Sequence, residues 1–234
     1  MFGRVQPLQP SKHGQLKFQA SHDLSFTKSM QTVPLAFTEL PEASKYYPII
    51  FGDTETPFPA ALLSLQKDSN QYLRPDGRWA APYIPAHIRR YPFVLQAREQ
   101  EDDFLVSIDV AAPHFGEVEG TPLFDAEDKP TALVEEAIKF LEILQRDMRA
   151  TREMMNIVKD FDILGIRNIE RKQGDVSDII AACLVVDAEK LDKLDQEKFM
   201  ELRSKRILPM LYAAQFSQTN FRMLSANEAD TETN

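Results

Sequence analysis

The chain has 234 residues, of which 43% are hydrophobic, and its formal net charge at pH 7 is −9. A chain this acidic repels phosphate backbones, so the composition argues against a nucleic-acid-binding surface. The charge is uneven, because residues 1–99 carry 11 basic and 8 acidic side chains whereas residues 100–234 carry 16 and 28. We therefore expect basic residues that meet an anion to lie in the first half.

The first 110 residues are predicted to be mainly antiparallel β-structure. Short apolar runs, several of them alternating and several containing proline, predict strands within 13–30, 33–37, 46–51, 60–65 and 70–79. The clearest hairpin joins residues 91–97 to residues 103–110 through the polar sequence REQED. Prolines at the ends of these runs favour edge strands and corners, since proline cannot donate a hydrogen bond to a neighbouring strand.

Residues 111–130 are predicted to form an irregular connection in which Leu123 and Phe124 act as an apolar anchor. An apolar stripe at steps of three and four then predicts a long α-helix over residues 131–161, with Thr131 as N-cap and Gly165 as a stop signal. At 1.5 Å per residue this helix would be about 45 Å long, so we expect a break or a kink. The stripe either packs on the sheet or forms a coiled-coil homodimer.

The C-terminal part is predicted to be mainly helical, with one buried strand over residues 179–187. Helices are expected over 189–203 and 207–224, and the acidic tail 226–234 is expected to be disordered. The predicted fold is α+β: an N-terminal antiparallel sheet or partly closed barrel to about residue 110, packed against C-terminal helices over 131–225. Because the strand at 179–187 needs a partner, residues 1–225 are predicted to form one domain.

The compartment is predicted from what the sequence lacks. Cys183 is the one cysteine, so no intrachain disulfide can form, and its apolar surroundings predict burial. The N-terminal residues show no secretory-signal layout and no window approaches a membrane span. We predict a cytoplasmic protein that does not insert into a membrane.

The stretch 79–93, WAAPYIPAHIRRYPF, is the strongest candidate for a binding site. It concentrates aromatic, histidine and arginine side chains, and the candidate binding residues are Trp79, Tyr83, His87, Arg89, Arg90 and Tyr91. If Arg89 and Arg90 lie on a strand they point to opposite faces, and the buried one needs a carboxylate such as Asp109 or Asp76. The pair is either a structural brace or a fork that binds a ligand carboxylate or phosphate.

Sequence motifs for catalysis and for cofactors are absent. The four histidines form no HxxxH or HExxH array, and a metal site built from His114 with Asp109 or Glu117 is a weak candidate. There is no GxSxG elbow, phosphate loop or GxGxxG sequence. We therefore predict no catalytic residue, no metal site and no cofactor.

The order of several short segments resembles the bacterial SapC family. The segments run VPL, YYPIIFG, PAALLSL and DGRW, then YIPAHIRRYPF, SID, PLFD and LVVDAEKL, and the resemblance covers about residues 5–224. YIPAHIRRYPF is the most specific of them. The resemblance implies an association with bacterial surface layers, is distinct from the similarly named peptide-transporter permease, and carries over no catalytic residues.

Three functions remain open from the sequence. The first is a non-enzymatic binding or accessory protein that engages a peptide or protein partner linked to surface-protein or export systems. The second is an enzyme acting on a small molecule or protein side chain through a pocket of Arg89 or Arg90 with His87, Asp109 or His114. The third is a structural component of a surface layer. The first is our prediction.

Overall fold

The computed structural model describes residues 2–97, 104–173 and 176–224. Two sequence predictions, for the polar turn after residue 97 and for the acidic tail 226–234, lie outside the described residues. The strands are β1 Val5–Pro7, β2 Lys17–Phe18, β3 Thr32–Pro34, β4 Ile49–Ile50, β5 Ala60–Leu62, β6 Phe93–Ala97, β7 Phe104–Asp109, β8 Phe115–Gly116, β9 Thr121–Pro122, β10 Leu164–Gln173 and β11 Val176–Val186. The helices are α1 Pro10–His13, α2 Leu40–Ala43, α3 Ala86–Arg89, α4 Ala132–Asp160, α5 Ala188–Asp192, α6 Gln196–Ser204 and α7 Leu208–Ser217.

The fold is α+β, as the sequence predicts, but its β-structure is divided among several small sheets. The described strands form three three-stranded antiparallel sheets, β1-β7-β6, β3-β5-β4 and β8-β2-β9, and the hairpin β10-β11. None of them closes, so the predicted single sheet or barrel is replaced by separate sheets. Strands of two to six residues, often ended by proline, are too short to make a continuous sheet.

The predicted hairpin over 91–97 and 103–110 is confirmed as β6 and β7, with Phe93 opposite Ile108. The strand predicted over 179–187 is also confirmed as part of β11, but it is buried only over residues 183–186, and Ile179 is 61% exposed. Its partner β10 was missed. The sequence of β10, LGIRNIERKQ, is rich in charged residues and has no sustained apolar alternation, so it has no strand signal of its own. Phe51 N donates to Leu184 O across 2.9 Å, which connects this hairpin to the N-terminal half.

Two other predicted strands are wrong. Residues Ser25–Thr27 form a 3-10 turn. The run over 70–79 contains only a single bridge between Leu73 and Trp79, which closes a tight turn. Gly77 lies in this turn with φ +80, and a Cβ there would come within 2.3 Å of Asp23 Oδ1, so the turn requires glycine.

Helix α4 is one uninterrupted helix of 29 residues, so the expected break is wrong. Thr131 is its N-cap residue, as predicted, but the helix ends at Asp160, and Gly165 belongs to β10. Its buried side chains pack inside this chain in two apolar clusters, to which Val134 and Leu141 contribute on one side and Met155 and Val158 on the other. Leu123 and Phe124 are buried in the first of these clusters, which confirms the predicted anchor. No helix within the three described ranges is both long and apolar enough to cross a membrane.

Candidate functional site

The stretch 79–93 begins inside the core. Trp79 is 8% exposed, and its Nε1 donates to Tyr47 Oη across 2.7 Å. The Tyr47 hydroxyl in turn donates to the carbonyl of Tyr83, and burial raises the pKa of Tyr47. The Tyr72 ring stacks on Trp79 with centroids 6.1 Å apart. Trp79 therefore fixes the start of the stretch to the core and offers little of its ring to a ligand.

Tyr83 is half-buried, and its hydroxyl donates to Glu39 Oε1 across 2.7 Å. Burial, followed by the hydrogen bond and the charge of Glu39, raises the pKa of Tyr83. The same Glu39 oxygen accepts the amide of Ala86 at 2.8 Å, at the first residue of α3. Glu39 is 8% exposed, and its Oε2 accepts the amide of Ala36 at 2.9 Å. It therefore anchors the entry to α3.

Arg89 and Arg90 lie at the end of α3, so the premise that they lie on a strand is wrong, but one side chain is exposed and the other partly buried, as expected. Pro85 precedes the helix as its N-cap, and the sequence AHIR is too short to show a helical period. Arg89 is exposed, donates from Nε to Ile84 O at 2.9 Å, and covers the ring of Phe140 at 5.2 Å. It acts as a surface brace.

The side chain of Arg90 makes different contacts from that of Arg89. Its Nη2 donates to His87 Nε2 across 2.9 Å, and its guanidinium lies over the ring of Phe2 at 5.3 Å. Neither Asp109 nor Asp76 pairs with it, contrary to the sequence expectation. Its Nε is buried and has no hydrogen-bond partner. Burial lowers the pKa of Arg90.

The Arg90 neighbour His87 is a neutral base. Burial, reinforced by the charge of Arg90, lowers the pKa of His87 to about 4. Since Arg90 can only donate, Nε2 of His87 is the acceptor and the ring proton lies on Nδ1. His87 therefore orients Arg90 without neutralising it.

Tyr91 belongs to a separate cluster. Its ring stacks on Phe26 at 4.1 Å, and its hydroxyl donates to Asp109 Oδ2 at 3.3 Å. Burial, with the charge of Asp109, raises the pKa of Tyr91 to about 12. Asp109 also accepts the amides of Gly3 at 2.6 Å and Arg4 at 2.8 Å. The Asp109 carboxylate therefore holds the N-terminal residues in place. Burial opposes its ionisation, but the hydrogen bonds from these amides outweigh burial and lower the pKa of Asp109.

Two concave surfaces open on different sides of the stretch. The first, which we call the Trp79 groove, has a volume of about 440 Å³ and is lined by Ser21, His22, Leu24, Arg78, Trp79, Ala81 and Ile84. Ala81 also lines an adjoining apolar pocket of about 230 Å³ that contains Tyr46, Tyr72 and Pro82. The second surface, which we call the Arg90 cleft, has a volume of about 240 Å³. It is lined by His87, Arg90, Leu95, Leu141, Leu144, Gln145, Met148, Arg149 and Arg152.

Comparison with known proteins gives one result. The family model described as SapC matches residues 8–224. The chain belongs to the SapC family. No curated protein and no solved structure matches it.

In this SapC-family chain the six sequence-predicted binding residues do not form one site. Trp79 lines the groove, His87 and Arg90 line the cleft, and the other three brace the surrounding structure. The sequence missed Gln145, Arg149 and Arg152, which lie on α4 more than fifty residues away. Their spacing of four and three residues shows that they share one side of the helix, but no local signal indicates what that side faces. Two of the cations come from the acidic second half of the chain, contrary to the expectation from charge.

His114 and Asp109, the remaining groups proposed for an enzyme pocket, do not line the Arg90 cleft. His114 stacks on Phe18 with ring centroids 5.8 Å apart, and burial lowers the pKa of His114. Within the described ranges no group of three or more His, Cys, Asp or Glu side chains is arranged to hold a metal ion. The SapC-family chain therefore brings together cations and a neutral imidazole at the cleft, while the buried carboxylate of Asp109 lies outside it.

Proposed function

We propose that this SapC-family chain is a non-enzymatic binding protein that engages a peptide or protein partner through the groove and cleft on either side of residues 79–93. The observation that carries the proposal is that the Trp79 groove and the apolar pocket share Ala81 in their linings, so the two concave surfaces are neighbours. Two neighbouring concave surfaces suit an extended segment better than a compact small molecule.

The lining of the groove supports a peptide as its occupant. Leu24 and Ile84 supply apolar surface together with the small exposed part of the Trp79 ring, while His22 and Arg78 supply polar groups at the rim. Gln71 lines the adjoining pocket, and its Oε1 is buried with no hydrogen-bond partner among the described residues. Rings with a few polar groups at their edge are typical of surfaces that recognise peptide side chains.

The groove is held in shape by the core rather than by exposed loops. Trp79 is hydrogen-bonded to Tyr47, and the Ala80 amide donates to Tyr72 O at 2.8 Å. A preorganised wall reduces the conformational entropy lost on binding, which favours recognition of an extended chain. The link to surface-protein or export systems is part of the proposal and rests on family membership.

Site-specific photo-crosslinking in the native cell tests this proposal. A photoreactive phenylalanine derivative at Ala80, which is exposed beside the pocket, is expected to give one adduct of defined mass. The same group at Lys193, which directly follows α5 and has a side chain that is 75% exposed, serves as control. Ala81→Phe fills the groove and should abolish the adduct while circular dichroism remains unchanged. Equal labelling at both positions, or an adduct that survives Ala81→Phe, would contradict the proposal.

A further inference from the structure

We infer that the Arg90 cleft is an oxyanion-binding site that takes a carboxylate or phosphate group carried on a short apolar stem. The inference deepens the proposed function by naming the chemistry of one part of the partner, and in that sense it rests on the proposed function. Its test uses small anions and no partner, so the two proposals can fail separately.

The charge of the cleft is the first argument. The described residues that line it include the guanidinium groups of Arg90 and Arg152 and no carboxylate. Arg152 takes part in none of the salt bridges formed among the described residues. Cations that converge on a concave surface create a positive potential, and low-dielectric walls concentrate it.

The unsatisfied donors of Arg90 are the second argument. An arginine has five N–H donors, and within the described part of the chain Arg90 uses only the one that reaches His87. Its Nε is buried without a partner, and a buried unpaired donor costs about 1–3 kcal/mol, more when it is charged. An oxyanion that accepts from the edge of the guanidinium would recover this cost.

The orientation of Arg90 supplies the third argument. Phe2 covers one face of the guanidinium at 5.3 Å, and His87 holds one edge at 2.9 Å. Hydrogen bonds of a guanidinium lie in its plane, so a covered face leaves the remaining edges available for two parallel bonds to a planar or tetrahedral anion. Neutral His87 holds this arrangement without competing as a counter-ion.

The shape of the cleft limits the ligand. About 240 Å³ admits a small group rather than a whole domain, and Leu95, Leu141 and Leu144 provide apolar walls. Gln145 and Arg152 are exposed at its mouth, where they can meet the charged end of an incoming group. An acidic side chain, a terminal carboxylate and a phosphoryl group all have this form, with an oxyanion on a short stem.

Calorimetric titration of the full chain at low ionic strength tests the inference, with glutarate as the carboxylate probe and inorganic phosphate as the other. Both should bind with a dissociation constant at or below about 1 mM, and the tighter of the two identifies the source of the anion. Arg152→Gln and Arg90→Lys should each weaken binding about tenfold, because each removes a charge or a bidentate geometry.

Arg146→Gln is the matched control, since Arg146 also lies on α4 but its side chain is 73% exposed and does not line the cleft. It should change affinity less than about twofold. Arg152 is exposed, so Arg152→Gln decides the matter if Arg90→Lys does not fold. Absence of binding up to about 10 mM of either anion, or equal losses for Arg146→Gln and Arg152→Gln, would overturn the inference.

Discussion

Arg90 and His87 share one hydrogen bond, from Nη2 to Nε2 across 2.9 Å, in which a buried cation rests against a neutral imidazole. Both residues lie on one turn of α3 or at its end, so the helix itself sets their separation. Protonation of His87 would place two positive charges in contact and remove the acceptor. The pair therefore makes the structure sensitive to acid.

The unfolding free energy is expected to fall between about pH 6.5 and pH 4 because the pKa of His87 is about 4 when folded and 6.5 in an unfolded chain. Within this window the unfolded chain binds more protons, so stability is lost as the pH decreases. Allowing for partial exposure of His87, the loss between about pH 7 and pH 5 should be about 1–2 kcal/mol. Urea unfolding at the two pH values measures it.

His87→Gln is the comparison for this pH effect, since it cannot titrate. The pKa values of His13 and His114 are also lowered by burial, so some acid sensitivity should remain in the variant. A variant that loses as much stability as the wild type would show that His87 does not contribute.

Tyr47→Phe is predicted to destabilise the fold by about 1–3 kcal/mol. The change leaves the buried indole N–H of Trp79 without an acceptor and the Tyr83 carbonyl without its donor. Tyr46→Phe makes the same chemical change at the adjacent position, and the hydroxyl of Tyr46 makes no hydrogen bond among the described residues. It should change stability by less than about 0.5 kcal/mol. Similar losses for both variants in chemical denaturation would contradict the role given to Tyr47.

Thr151→Val is predicted to destabilise the chain by about 1–3 kcal/mol, because it removes the acceptor of a buried amide. Thr151 is 1% exposed, and its hydroxyl accepts Phe37 N at 2.8 Å while donating to Asp147 O at 2.7 Å. Thr151→Ser keeps the hydroxyl and should cost only about 0.5–1.5 kcal/mol for the lost methyl group. Denaturation curves in which Thr151→Ser is less stable than Thr151→Val would contradict this prediction.

Asp109→Ala is predicted to release residues 2–4, which precede β1, from their contacts with the end of β7. The carboxylate holds the amides of Gly3 and Arg4, while Val5 keeps its own pairing with β7. Tryptic cleavage after Arg4 should therefore accelerate about tenfold relative to cleavage after exposed Lys28, because local opening becomes easier. Asp53→Ala, which removes a cap from an exposed turn, is the control. An unchanged ratio of the two cleavage rates in Asp109→Ala would mean that the carboxylate does not hold residues 2–4.

Several elements follow from the sequence because their signals are local. The β6–β7 hairpin shows alternation on both strands, and α4 has an apolar stripe long enough to fix its period. The bounds of α4 agree within one residue at each end. Its uninterrupted course could not be predicted, because a helix that exceeds the radius of a compact chain can still lie along two separate apolar clusters.

Other elements have no local signal. β10 is a strand only because β11 pairs with it along ten residues, and its own residues are largely polar. The turn of helix at Ala86–Arg89 is too short to show a period, so the sequence did not predict it. Pairing partners and short helices are decided by the surrounding structure, which outweighs weak intrinsic propensity.

By itself the sequence determined the fold class, the long helix, the main hairpin, the family and the residues around which a binding site should be sought. Only the tertiary structure decided that Trp79 belongs to the core, that Arg90 contacts His87 rather than Asp109, and that Arg152 of α4 faces the same cleft. The physical reason is the distance along the chain over which each kind of interaction acts. Periodicity and turn chemistry act over a few neighbours, whereas a site is assembled from groups far apart in the chain whose proximity depends on how the apolar clusters pack.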